Sequence, residues 1–229
     1  MRLCAVSDMH GILDFNIEPC DVLCICGDTI PLRIQGWTEP TFKWLRDEFL
    51  TWCNEQPCEE VLLIAGNHDI PFQRHEKELR EIFKDTKVRY LLDEAYEYIC
   101  PSDGKVVKFY GTPWCHQFGS WAFMDYTDEG LVKVYDKMPE DVDVLLSHDA
   151  PYGTSDVITD DVPWATGEHI GGPALRDAVN KKKPKLMFVG HLHSVTKEPQ
   201  KTEGGTEVVN VSMVNEAYKL VYKPHYRDL

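Results

Sequence analysis

Five short apolar runs recur along the chain: RLCAVSD (2–8), DVLCICGD (21–28), EVLLIAGN (60–67), VDVLLSH (142–148) and KLMFVGH (185–191). Runs this short, rich in Val, Ile and Leu and closed by polar residues, predict buried strands. Between the second and third runs, residues 38–57 place Phe42, Leu45, Phe49 and Trp52 at helical spacing, with Pro57 beyond the end. Residues 71–85 predict a second helix with Pro71 in its first turn, and 171–183 a third. The stretch 88–114 is β-prone around Ser102-Asp103-Gly104, which predicts a hairpin, and the tail over 206–224 reads as a second one. Strand–helix units with β-rich insertions predict an α/β fold with mixed sheets. The loop from Tyr152 to His169, with Asp156, Asp160 and Asp161, reads equally as a lid or a solvated connection.

The 229 residues, 43% of them hydrophobic, suit one domain over 1–229, with no internal repeat and no low-complexity linker. No apolar run approaches the roughly 20 residues of a membrane span. The start, MRLCAVSDMHG, lacks a secretory pattern, so a cytoplasmic protein is expected. The net charge of −14 argues against membrane or nucleic-acid polymer partners. The one basic run, KKKPK at 181–185, falls where a helix should end, and the helix dipole favours cations there. Eight cysteines without a CxxC pair read as reduced core thiols, with a Cys-bound zinc as the lesser alternative.

The strand ends change the picture. The first run gives Asp8 and His10, the second Asp28, the third Asn67, His68 and Asp69, the fourth His148, and the last His191 and His193. Residues two apart on an extended segment share a face, so each i, i+2 pair can converge on one object. In open α/β sheets ligands collect outside the carboxyl ends of strands. Asp8, His10, Asp28, Asn67, His148, His191 and His193 are more donors than one metal takes. Two cations sharing a carboxylate fit them. Imidazole suits Zn and Fe, while carboxylate and amide oxygens suit harder ions such as Mn. Two divalent cations would outweigh two aspartates and a hydroxide, giving a net positive pocket for phosphate. Taken singly, a strand-end Asp is more often a cap or turn residue, and a lone His a surface or core one. His75, His116, His169 and His225 keep that reading; the set of strand-end donors does not.

In order and spacing, Asp8-Met-His10, Gly27-Asp28, Gly66-Asn67-His68-Asp69, His148 and Gly190-His191-Leu192-His193 resemble the calcineurin-like metallophosphoesterase superfamily. GTPW (111–114), LLSHDAPYG and PKLMFVGHLH also resemble its small single-domain subgroup, which includes fetal brain protein 239. The resemblance implies a four-layer α/β/β/α sandwich of two mixed sheets flanked by helices. It implies two divalent metal ions (Mn, Fe, Zn or Co), one held by Asp8, His10, Asp28 and His193, the other by Asp28, Asn67, His148 and His191. Asp28 would bridge them.

The activity implied is hydrolysis of a small phosphoester, a phosphodiester first and a phosphomonoester second. A hydroxide between metals roughly 3.5–4 Å apart would attack phosphorus. His68 would protonate the leaving oxygen, and Asp69 would orient a neighbouring His or cap the next helix. Ser147 stands before His148 where many relatives carry Gly. TIPLR follows Asp28 in place of the Asp-Arg-Gly of serine/threonine protein phosphatases, which argues against that activity. The rival expectations are a catalytically weak metal-binding interaction scaffold and a nuclease, though no separate capping domain of the large nuclease relatives is visible. Trp114, His116 and Trp121 read either as an aromatic wall for a leaving group or as packing.

Overall fold

A computed structural model describes residues 1–125, 127–159 and 165–229; Asp160 and Asp161 of the long polar loop lie outside them. The first strands are β1 (Arg2–Val6), β2 (Val22–Cys26), β3 (Glu60–Ile64), β4 (Val88–Tyr90), β5 (Glu94–Ile99) and β6 (Val106–Thr112). They are followed by β7 (Cys115–His116), β8 (Met124–Asp125), β9 (Val144–Ser147), β10 (Leu186–Val189), β11 (Gln200–Lys201), β12 (Glu207–Asn210) and β13 (His225–Asp228). One sheet runs β13-β1-β2-β3-β4, parallel except for β13. The other runs β11-β12-β10-β9-β6-β5, parallel through its centre with antiparallel edges.

Strand period two explains the continuous apolar runs. Val22, Cys24 and Cys26 face the opposite sheet, where Phe109, Leu146 and Phe188 meet them. Leu23 and Ile25 turn instead toward the helical layer of Phe42, Phe49 and Phe72. On the second sheet Met187 and Val189 pack outward against Leu131, Tyr135, Leu175 and Val179. The central strands of both sheets are thus buried on both faces, and the layers stack α/β/β/α. All eight cysteines are free, Cys24 and Cys26 among the fully buried.

The stretch 38–57 forms α1 (Thr38–Trp44), a π-helical turn at Leu45–Phe49 and α2 (Leu50–Glu55). The helix expected over 71–85 divides into α3 (Ile70–Arg74) and α4 (Glu76–Phe83). The break is His75, with φ −135°, whose ring lies 3.1 Å from Thr38 Oγ1; a tertiary contact overrides the local period. Between β8 and β9 lies α5 (Asp128–Tyr135), capped by Thr127, whose side chain accepts from Gly130 N–H; the sequence reading passed over it. The third expected helix is α6 (Pro173–Lys182), and KKKPK sits at its end. The hairpin around 102–104 joins β5 to β6.

The tail forms a hairpin over part of its length: Val214 bridges Leu220 antiparallel, Asn215 N–H donates to Lys219 O at 3.0 Å and Val221 N–H to Met213 O at 3.1 Å. The strands on either side of it join different sheets. β12 pairs parallel with β10 in one sheet, while β13 pairs antiparallel with β1 in the other. The chain crosses between sheets there, and Ser7 N–H donates to Val211 O at 2.9 Å while Met213 N–H donates to Ser7 O at 3.0 Å. Those bonds draw the two sheets together at the carboxyl ends of β1 and β12. Among the described residues no helix is long and apolar enough to cross a membrane.

Candidate metal centre

Where the sheets converge, the backbone turns sharply. Asp8, Asp28 and His191 each lie two residues past a strand and adopt φ of 55°, 52° and 65°; His10 adopts 45°. Left-handed backbone is costly for non-glycine residues and gathers at functional sites. Here it swings the side chains back over the sheet ends. The glycines before the donors allow the close approach. A Cβ on Gly66 would land on Asp28 Oδ1 and 2.6 Å from His148 Cε1; one on Gly190 would land on Ser7 Oγ, 2.8 Å from Asp8 Oδ2.

The seven expected donors come together. Asp8, Asp28 and His148 offer ligand atoms within 4.8 Å of one another, as do Asp8, His10 and His193. Asn67 Oδ1 lies 3.0 Å from His148 Nε2, and the His148 and His191 rings are 5.2 Å apart. The carboxylates are fixed by the backbone. His191 N–H donates to Asp8 at 3.0 Å, and His68 N–H to Asp28 Oδ1 at 2.8 Å.

Two observations test whether this cage fits cations. His10 is buried, yet neither ring nitrogen has a hydrogen-bond partner among the described residues; an unpaired buried polar atom is costly. His148 donates Nδ1–H to the Cys26 carbonyl at 2.7 Å, so its Nε2 faces Asn67 Oδ1 and, at 3.4 Å, Asp28 Oδ1. A nitrogen lone pair among oxygen acceptors needs a proton or a cation between them. The donor set therefore fits.

Protonation agrees. Burial pushes His10 down to about 4 against the pull of Asp28 and Asp8. Burial and then the charge of His148 push His191 down to about 4. Both are neutral imidazoles, the form that ligates. Burial opposes ionisation of Asp8 and Asp28, but His193 beside Asp8 and His148 beside Asp28 hold both carboxyls well below the usual carboxylate range.

His68 faces the same pocket. Its Nε2 lies 4.0 Å from Asp28 Oδ2, while its Nδ1 is 2.5 Å from Gln35 Oε1. Gln35 carried no signal in the sequence; it sits in the loop after Asp28, where no motif marks it. Asp69 takes neither expected role. Its buried carboxylate accepts from the backbone N–H groups of Thr29, Ile30 and Gly66 and ties the third loop to the second; α3 has no side-chain cap.

The expected aromatic wall divides. Trp114 donates Nε1–H to Asp93 at 3.1 Å and packs on Phe123, a structural role. Trp121 lies 4.5 Å from the His68 ring. His116 pairs with buried Asp149 at 2.9 Å. Sequence reasoning missed Tyr218, edge-on to His10 at 4.9 Å and His193 at 5.4 Å, and Cys115, whose Sγ groups with His148 and His191. His75 and His225 stay away from the site, His225 packing on Phe188.

Two mixed sheets meeting at a cage of carboxylate, amide and imidazole donors have the arrangement of a dinuclear metallohydrolase. Residues 1–195 match the family model for calcineurin-like phosphoesterases, and the chain belongs to that family. It is 28% identical over 245 residues to human Metallophosphoesterase domain-containing protein 1, covering all of this chain and 71% of that protein. Among solved structures it resembles the TT1561 protein of Thermus thermophilus, with a TM-score of 0.58 at 13% identity over 91% of this chain and 88% of that one. It also resembles a dimetal phosphatase from Danio rerio, with a TM-score of 0.51 at 10% identity over 92% and 86%. Both likenesses carry the four-layer fold. Membership implies a metal-dependent phosphoesterase with two divalent cations as cofactor, for which His and Asp groups are in place.

Proposed function

We propose that residues 1–229 form a single cytoplasmic phosphoesterase domain acting on small phosphodiesters first and phosphomonoesters second. The orphaned His10 ring inside a seven-donor cage carries this reading. Asp8, His10, Asp28 and His193 would hold one ion, and Asp28, Asn67, His148 and His191 would hold the other. When bound, the cation pair supplies Lewis acidity toward the phosphoryl oxygens and an activated water.

The chain's own residues do the rest. His68 Nδ1–H is committed to Gln35 Oε1, so the acid proton sits on Nε2, the nitrogen facing the pocket. Burial opposes that charge, and Asp28 favours it. An incoming phosphate adds further negative charge, so the ring protonates as substrate binds and delivers its proton to the leaving oxygen. Trp121 and Tyr218 flank the rings of His68 and His10 and narrow access by water. A negative net charge and the missing Asp-Arg-Gly favour small esters over phosphoproteins, nucleic acid or membranes. Eight free thiols accord with a reducing compartment.

The test is metal analysis together with hydrolysis of bis-p-nitrophenyl phosphate, p-nitrophenyl phosphate and cyclic nucleotides in Mn²⁺, with a chelator control. Two ions per chain and chelator-sensitive diester hydrolysis are expected. Two ions per chain with no ester cleaved would instead favour the interaction scaffold.

A further inference from the structure

Beside the metal centre lies a cavity of about 790 Å³, within the range of small-molecule sites. His191 and His193 both line it, one from each proposed ligand set. Phe118 lies 4.9 Å from the His191 ring and starts an apolar wall continued by Ile158, Ile170 and Leu192. The wall therefore begins where the ligand shell ends, and a phosphoryl group at the metals would point its organic substituent along it.

The carboxylates in this cavity are not matched by lysine or arginine. Among the described residues no Lys or Arg lines it, while Glu168 and Glu216 do. Its two other imidazoles are each held by a buried carboxylate: His116 by Asp149 at 2.9 Å and His169 by Asp156 at 2.8 Å. Neither Asp is free to act alone. Asp149 also accepts from His116 N–H, and Asp156 from Gly153 and Gly171 N–H. Each of these carboxylates is thus engaged by an imidazole and by backbone donors. Arg176 stacks at 5.6 Å on Tyr152 and is paired with Asp177 at 2.8 Å, outside the lining.

We propose that this cavity is the subsite for the organic group of the ester, and that it takes a bulky apolar group, uncharged or cationic, and rejects one bearing a second anionic charge. This rests on the phosphoesterase reading above. Apolar area gives the gain for a large substituent, and an added anion along the wall meets Glu168 and Glu216 with no Lys or Arg beside them among the described lining residues. Esters carrying further phosphates, including polyphosphates and nucleic acid, fit poorly for that reason.

Calorimetry on the metal-saturated protein with methylphosphonate, phenylphosphonate and 4-carboxyphenylphosphonate reads the subsite without turnover. Phenyl should bind on the order of tenfold tighter than methyl, and the added carboxylate should erase most of that gain. The same order should appear in kcat/KM for the methyl, phenyl and 4-carboxyphenyl esters of p-nitrophenyl phosphate. In Glu168→Gln/Glu216→Gln the ratio of carboxyphenyl to phenyl should rise severalfold. Equal binding of methyl and phenyl, or of phenyl and carboxyphenyl, would overturn the subsite. The binding order without hydrolysis of any ester would uphold the subsite and defeat the phosphoesterase reading alone.

Discussion

The His148 ring donates Nδ1–H to the carbonyl of Cys26, 122 residues away, at 2.7 Å. That one bond joins the two sheets beneath the site and chooses the tautomer. Nε2 is left pointing at Asp28 and Asn67, where a ligand nitrogen is needed. A second bond partner of a ligating imidazole commonly sets its orientation in this way.

A proton and a cation compete for that nitrogen. In the metal-free protein burial works against charging His148, but Asp28 raises it to about 10, above its unfolded value of 6.5. The proton therefore stabilises the native state fully below pH 6.5, and that contribution is lost as pH rises through about 10. Metal must displace it, so Mn²⁺ affinity should rise about tenfold per pH unit between pH 6 and 8. Calorimetric titration at three pH values reads this; an affinity independent of pH would rule out the competition.

Asp28 accepts from the His68 backbone N–H at 2.8 Å and faces His148 Nε2 at 3.4 Å and His10 Nε2 at 3.9 Å. Asp28→Ala should reduce both ions from stoichiometric to trace levels, measured by metal analysis after gel filtration. Retention of one full equivalent would show that the carboxylate is not shared.

His68→Ala should cut kcat for bis-p-nitrophenyl phosphate by about 10²–10⁴-fold with metal content intact. Wild-type turnover in this variant would remove the acid assignment.

Gln35 acts only through His68, whose Nδ1 it holds. Gln35→Ala should lower kcat about tenfold, leave KM within about twofold, and shift the acidic limb of the kcat pH profile. An unaltered pH profile would mean that Gln35 merely packs.

Gly190→Ala places a methyl group against Ser7 Oγ and Asp8 Oδ2. Overpacking there should cost about 1–3 kcal/mol, seen as a lower urea midpoint, and should weaken metal binding because Asp8 must move. An unchanged midpoint would show that the sheet ends have room to spare.

Much of this molecule can be read from its amino acids. The five apolar runs, the hairpin at Ser102-Asp103-Gly104 and the end of α6 at KKKPK all follow from signals within a few residues. So do the strand-end donors, because each motif is a strand followed by a turn, and turns declare themselves through glycine and short polar side chains. The helix break at His75 escaped because a contact with Thr38 produces it. The tail was legible in part: its turn closes an antiparallel bridge between Val214 and Leu220, but the flanking strands β12 and β13 join different sheets, and only the partners β10 and β1 decide that.

Local chemistry thus set the strands, their polar ends and the identity of the donors. Folding across long separations decided which neighbours each donor meets: Gln35 on His68, Cys26 on His148, Tyr218 on His10, and the backbone of the second loop on Asp69. Those pairings hang on the two sheets converging at Ser7 and Val211. The physical reason is range. Period and turn chemistry act between near neighbours in the chain, whereas burial, tautomer choice and the setting of the cavity's carboxylates depend on groups brought together only by packing.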